Sequence, residues 1–224
     1  ALRAMVSKPQ EMFDFLVASL CEKIDVSTTN GKTRVVEELV DRVAQIPSDV
    51  KREVLLQQLS QRLSRSRAKL LAARNPVIVA GQELALHDAF AEAAELADLL
   101  GAAVYQQPIH YCAQFPSAHP AYLGALTRTQ KQVRAALEAY DLLLCLGADL
   151  LRMSVYSPVT PLPEGLPVIH ISERDWELGK NYPTELALRA NVKETLRALL
   201  PLLRERRSGA AAEAAARRLA ALKP

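Results

Sequence analysis

Glycine is scarce, with eight among 224 residues. Thirteen prolines are scattered without a period, so collagen-like and low-complexity architectures are excluded. Cysteine is scarcer still. Cys21, Cys112 and Cys145 make neither a C-x-x-C site nor a zinc knuckle, and unpaired thiols point to a reducing, cytoplasmic setting. Aromatics are only 5%, too few for a surface that stacks bases. No apolar stretch approaches the roughly 20 residues that cross a bilayer. The opening Ala1-Leu2-Arg3-Ala4-Met5 lacks the pattern of a signal peptide, so no membrane association is expected. A strong excess of one charge is missing as well, the formal net charge being +3. Residues 203–224 hold Arg204, Arg206, Arg207, Arg217, Arg218 and Lys223 against Glu205 and Glu213, a surplus of +4 that leaves the rest near −1. A nucleic-acid footprint is a basic face on folded structure. A basic tail is not one, and direct nucleic-acid binding is not expected.

What is present is enough to fold. Half of the residues are hydrophobic and 24% are charged, the balance of a chain that buries a core. The length is ample for two domains. Residues 1 to about 74 read as helix. Val35, Val36, Leu39, Val40, Val43 and Ile46 form one stripe at helical spacing. Met12, Phe13, Phe15, Leu16 and Leu20 mark an earlier helix ending near Asp25. Ser27, Thr28 and Thr29 offer caps, with Asn30-Gly31 at the next entry. Ile46-Pro47-Ser48-Asp49 is a second break. From there to about Arg74 nothing interrupts, which predicts one helix of roughly 38 Å.

After Arg74 the pattern changes. Asn75-Pro76 stops the helix and Val77-Ile78-Val79-Ala80-Gly81 reads as a buried strand. A helix is expected over His87 to Leu100, closed by Gly101. Then come a strand (Ala102 to Gln106), a long loop, a helix (about Thr129 to Tyr140) and a buried strand (Asp141 to Gly147). An irregular stretch follows, then strands at Pro167 to Ile171 and Leu186 to Arg189 and a helix over Val192 to Leu203. Alternation of this kind implies right-handed crossovers and a parallel sheet covered on both faces. The expected fold is α/β: an all-helical N-terminal segment joined by a long helix to a Rossmann-like three-layer domain. The expected divisions are a helical segment at 1–65, the α/β domain at 66–203, and a linker or frayed helix at 204–224. That last stretch is alanine-rich, with little large apolar surface to pack.

Several motifs carry a resemblance to known families. They are Asn75-Pro76-Val77-Ile78-Val79-Ala80-Gly81, the run Phe115-Pro116-Ser117-Ala118-His119-Pro120, Asp141-Leu142-Leu143-Leu144-Cys145-Leu146-Gly147-Ala148, and Leu188-Arg189-Ala190-Asn191. In order and spacing, the stretch from about Arg67 to Leu203 resembles the central domain of thiamine-diphosphate-dependent decarboxylases and carboligases, closest to the benzoylformate decarboxylase branch, with the tail similar to the linker that follows. The first 63 or so residues resemble a different family. Phe13-Asp14-Phe15-Leu16, Ile24-Asp25-Val26-Ser27-Thr28-Thr29-Asn30-Gly31-Lys32 and Ala44-Gln45-Ile46-Pro47 are similar to the helical end of the bacterial DNA primase polymerase core. The two resemblances meet around Leu63-Ser64-Arg65-Ser66 and imply a fusion, natural or engineered.

The resemblance implies thiamine diphosphate and magnesium in a complete enzyme, but function is argued from sites rather than folds. The Gly-Asp-Gly motif that holds the diphosphate through magnesium occurs nowhere in the sequence, and the glutamate that activates the thiamine ring belongs to another domain. No cofactor and no catalysis are expected from this chain alone. The leading expectation is a non-catalytic scaffold, with other domains of a thiamine-diphosphate enzyme, or further copies of the chain, as partners. A replication module meeting a replicative helicase, and a stand-alone domain binding FAD or an adenine nucleotide, are the alternatives.

Three residues are candidates for a site. Gly81 and Gly147 end strands where backbone amides meet phosphates in nucleotide-binding folds. Glycine equally serves to permit a turn, and Glu83 and Asp149 beside them would repel phosphate. His119 matches a motif that supplies a histidine to the substrate pocket in benzoylformate decarboxylase, where an imidazole shuttles a proton. Between two prolines it equally serves to brace its loop. His110, Cys112 and His119 lack a fourth ligand and are not expected to bind metal. His87 is expected at a helix start and His170 within a strand. The proline-braced loop Leu150 to Pro163 is long enough to suggest a role. Trp176, Tyr182 and Phe115 are either interface anchors or ordinary edge packing.

Overall fold

A computed structural model describes residues 68–109, 112–154 and 156–222. The chain divides into two units, Ala1–Arg62 and Leu63–Pro224. The helices expected before residue 68 lie outside the described residues, as does His110.

In the second unit, helical residues 68–72 lead to a tight entry into the sheet. The Arg74 and Asn75 amides donate to the Asp141 carboxylate at 2.6 and 2.9 Å. The Asn75 side chain donates to the Ala139 carbonyl at 2.8 Å. These bonds dock β1 (Pro76–Ala80) beside β4 (Leu142–Leu146). The remaining strands are β2 (Ala103–Gln106), β3 (Tyr122–Ala125), β5 (Val168–Ser172) and β6 (Leu186–Arg189). They form one six-stranded sheet in the order β3-β2-β1-β4-β5-β6, with every pairing parallel. This is the Rossmann-like α/β class that the strand–helix alternation implies.

All residues of β1, β4 and β5 are buried, as befits strands covered on both faces. Successive side chains alternate between those faces. Val77, Val79, Leu143, Cys145 and Val168 pack with Val133 and Leu137 of α3 (Gln130–Leu137) and with Leu150, Leu151 and Leu166. The opposite parity, including Ile78, Leu144 and Ile169, faces the other layer. That layer holds α1 (Gln82–Leu86), α2 (Phe90–Leu100) and α4 (Val192–Arg206), and α2 also meets α5 (Gly209–Ala221).

Four local expectations are corrected. The helix expected from His87 starts at Phe90 as α2, and an additional short helix, α1, directly after Gly81, ends with His87 as its C-terminal cap. Asp88 turns the chain at φ 50°, a conformation that a short polar side chain tolerates. Strand β3 lies inside the stretch expected to be loop, because four residues on a sheet edge give almost no periodic signal. Helix α4 runs past Leu203 to Arg206, carrying Pro201 on an exposed position. The segment after Ser208, expected to pack weakly, forms α5 with Ala215 fully buried. Its small side chains allow close backbone approach to Gly101, where an added Cβ would lie 2.5 Å from the Ala215 Cα. No described helix is long and apolar enough to cross a membrane.

Candidate functional site

In this strand order the switch point lies between β1 and β4, where open α/β sheets place ligands outside the carboxyl ends of the strands. Gly81 follows β1 and Gly147 follows β4. The structure brings these two candidates together, and against each other. The Gly81 amide donates to the Leu146 carbonyl at 2.9 Å and the Gly147 amide to the Ile171 carbonyl at 2.8 Å. The Glu83 amide donates to the Gly147 carbonyl at 3.2 Å. A Cβ on Gly81 would come within 2.1 Å of the Gly147 carbonyl oxygen. Gly147, at φ 62°, abuts the Glu83 Cβ. Both amides are therefore engaged within the sheet, and the glycines serve the close approach of two turns.

Glu83 faces inward rather than toward the solvent side of this notch. It is buried, accepting from Ser172 Oγ at 2.7 Å and from the Glu173 amide at 3.0 Å. The turn after β1 is thereby tied to the end of β5. What stays open is a polar cleft of about 80 Å³, lined by Gln82, Gln107, Asp149, Arg152, Arg174 and Glu177 among others. Small-molecule sites usually enclose about 300 Å³ or more. The cleft's charges also answer one another. Asp149 accepts from Lys180 and Asn181, each at 2.8 Å, and Arg174 pairs with Glu177 at 3.1 Å.

His119 lies on the loop between β2 and β3, away from the two glycines in sequence and held by its own neighbours. Its Nδ1 accepts from the Ala121 amide at 3.2 Å, which places the proton on Nε2, 3.4 Å from Asp98 Oδ1. The ring meets Phe115 edge-on at 5.3 Å, and Phe115 stacks with Tyr122 at 6.2 Å. Gln106 ties the same loop down, donating to the Cys112 carbonyl at 3.2 Å and accepting from the Tyr122 hydroxyl at 3.3 Å. Phe115, for which an interface anchor and edge packing were the alternatives, is buried within this loop. Trp176 is 65% exposed and Tyr156 is 91% exposed, whereas Tyr182 is half-buried. His87 Nε2 lies 2.8 Å from Glu173 Oε2. His170 is buried in β5.

Among the described residues, no three His, Cys, Asp or Glu side chains are grouped so as to hold a metal ion. The described residues do not fit thiamine diphosphate: the cleft is small, the glycine amides are engaged, and no carboxylate cluster stands ready for magnesium. A feature that motif reasoning missed is a cleft of about 650 Å³ beside the end of the Leu150–Pro163 loop, at the amino end of β5. Leu162, Pro163, Leu166, Pro167, Tyr182 and Pro183 contribute to its wall. Only the density of prolines hinted at it.

The sheet order and the paired turns at the switch point define a Rossmann-like α/β domain. Residues 63–199 match the family described as thiamine pyrophosphate enzyme, central domain, and the chain belongs to that family. Benzoylformate decarboxylase of Pseudomonas aeruginosa is 31% identical over 150 residues, covering 67% of this chain and 27% of that protein. Acetolactate synthase of Mycobacterium avium is 34% identical over 143 residues, covering 62% and 22%. The solved structure of a thiamine diphosphate-dependent 4-hydroxybenzoylformate decarboxylase from Rhodococcus jostii matches with a TM-score of 0.60 and 31% identity, over 64% of this chain and 27% of that one. The chain thus spans about a quarter of the length of these relatives. Residues 13–68 match the DnaB-helicase binding domain of primase. The motifs placed this segment at the helical end of the primase core; the matching family is described by helicase binding.

Proposed function

We propose that this chain acts by docking rather than by catalysis. Its α/β part, taken as residues 66–203, serves as the structural central domain of a thiamine-diphosphate-dependent 2-keto acid decarboxylase or carboligase. It braces partner domains, which would carry thiamine diphosphate and magnesium, and it works in the cytoplasm. Residues 1–65 form a separate helical module, and α5, docked on α2, closes the α/β part. The observation that carries the reading is that the Gly81 and Gly147 amides, which a phosphate would need, already donate to the Leu146 and Ile171 carbonyls. In this role His119 positions its loop through Ala121 and Phe115. Calorimetry against FAD, ADP and thiamine diphosphate with magnesium tests the reading. No heat of binding is expected with any of the three, and saturable binding of one would overturn it.

A second reading rests on the match of residues 13–68 to a helicase-binding domain: the helical module would dock a bacterial replicative helicase and carry the α/β unit with it. The chain should then retain purified helicase in a pulldown, with retention lost on removing residues 1–63. Absence of retention by the full chain removes this reading.

A further inference from the structure

The turn that leaves β4 is held from the core by two side chains sharing one acceptor. The Ala148 carbonyl lies 2.9 Å from His170 Nε2 and accepts from Cys145 Sγ at 3.3 Å. Cys145 and His170 are register partners on β4 and β5, so the sheet itself aims both at this oxygen. The turn also carries strain. Gly147 at φ 62° is at ease, but Leu151 sits at φ 47°. The left-handed region disfavours a side chain by about 1–2 kcal/mol, and such residues persist where their surroundings over-determine them. Leu151 is fully buried. Asp149, between them, and Arg152, directly after Leu151, line the cleft at the switch point.

A carbonyl only accepts, so His170 Nε2 carries the hydrogen and Nδ1 is a bare acceptor. Nδ1 is buried with no hydrogen-bond partner. A second proton there would place a charge and an unreceived N–H inside an apolar layer. Burial holds the imidazole below its usual pKa, against the opposing pull of the Ala148 bond and the Asp149 charge. Cys145 offers no counter-charge. Burial pushes its thiol well up, against the Ala148 bond, and Glu177, Asp149 and Glu83 add to the rise. On β6 the register partner of His170 is the uncharged Ala187, and from α3 the same layer receives the apolar Val133 and Leu137.

We infer that His170 is an acid-released latch on the 147–152 turn. Neutral, it pins the Ala148 carbonyl and keeps Leu151 in its strained conformation. On gaining a second proton it leaves the core and the turn opens, with the strands behind it still paired. Openings of this local kind lie below the global unfolding free energy.

Hydrogen exchange on the full chain, corrected for intrinsic rates, tests this at pH 7.5 and 5.5. A proton taken up only by the open form, with an ordinary histidine pKa, raises the opening constant about tenfold over that interval. The Gly147 and Arg152 amides should show that rise, while those of β1 change less than twofold. His170→Gln keeps a donor for Ala148 but does not titrate, so its response should be flat; His87→Gln and His119→Gln should keep the tenfold response. A wild-type change below twofold, a full response in His170→Gln, or equal loss of protection across β1 would overturn the latch. Should His170→Gln fail to fold, imidazole NMR of the wild type decides. A His170 ring that gains its second proton while Gly147 stays protected sinks the proposal.

Discussion

Gly101→Ala is the substitution that separates the two things holding the C-terminal helix. Gly101 caps α2 at φ 60°, so any side chain there meets left-handed strain of about 1–2 kcal/mol. The second effect comes from α5. The new Cβ would lie 2.4 Å from the Ala215 carbonyl oxygen and 2.5 Å from its Cα. Backbone cannot rotate out of the way, so α5 must lift. Lifting it exposes Ala215 and breaks the bonds that Arg218 donates to the Leu100 and Gly101 carbonyls at the end of α2. Those bonds place a cation on a helix C-terminus, where the dipole favours it. Arg218 is partly exposed, so the docking is worth about 1–2 kcal/mol. The full chain should therefore lose about 2–4 kcal/mol. A chain ending at Ser208 has no α5 to displace and should lose only the strain.

The difference between those two losses is the coupling of a double-mutant cycle. Urea unfolding followed by Trp176 fluorescence measures it. Trp176 is the only tryptophan of the chain, so its signal reports on the α/β unit whatever the preceding segment does. Equal losses in the two backgrounds, within about 0.3 kcal/mol, would show that α5 does not rest on Gly101.

Other substitutions test the remaining joints. Gly81→Ala sets a Cβ against the backbone of Gly147 and Ala148 at 2.1–2.3 Å, and should remove about 3 kcal/mol or more; a wild-type urea midpoint would refute the close approach. Glu83→Gln keeps the shape but cannot accept from both Ser172 Oγ and the Glu173 amide, and should cost about 1–3 kcal/mol in the same assay. A loss below about 0.5 kcal/mol, the range of ordinary surface changes, would count against a buried anchor. His119→Ala should destabilise the unit by about 1–2 kcal/mol through the unmet Ala121 amide and the lost Phe115 contact. In a complete enzyme carrying this domain, turnover should then stay within twofold; a tenfold loss at unchanged stability would give His119 the proton-shuttling role instead.

Sequence alone revealed what burial on both faces makes visible. β1 and β4 announce themselves as unbroken apolar runs because helices or loops cover both sides of them. The turn at Asp88 and the edge strand β3 did not, the first because it depends on one residue's φ, the second because four residues hold too little pattern. The docking of α5 was hidden for a different reason. Its receptor is an absence, the missing side chain of Gly101, and no count of apolar residues registers a notch. Glu83 misled in the same way. Beside a glycine it reads as a charge facing ligand, yet its partner Ser172 lies 89 residues on, and only the assembled sheet turns the carboxylate inward.

That inward turn bears on why the two glycine turns at the switch point form no phosphate cradle. Topology puts the ends of β1 and β4 side by side, but a phosphate needs amides that point outward and are free. Here the amide of each turn is taken by a carbonyl of the sheet, and Glu83 fastens the β1 turn to β5. The same arrangement ties the β1 turn to the end of β5 through Glu83, a joint that suits the bracing role proposed above. Relatives described as a decarboxylase and as a synthase share this part of the chain at 31% and 34% identity. The bracing role proposed for this chain needs only the joint just described.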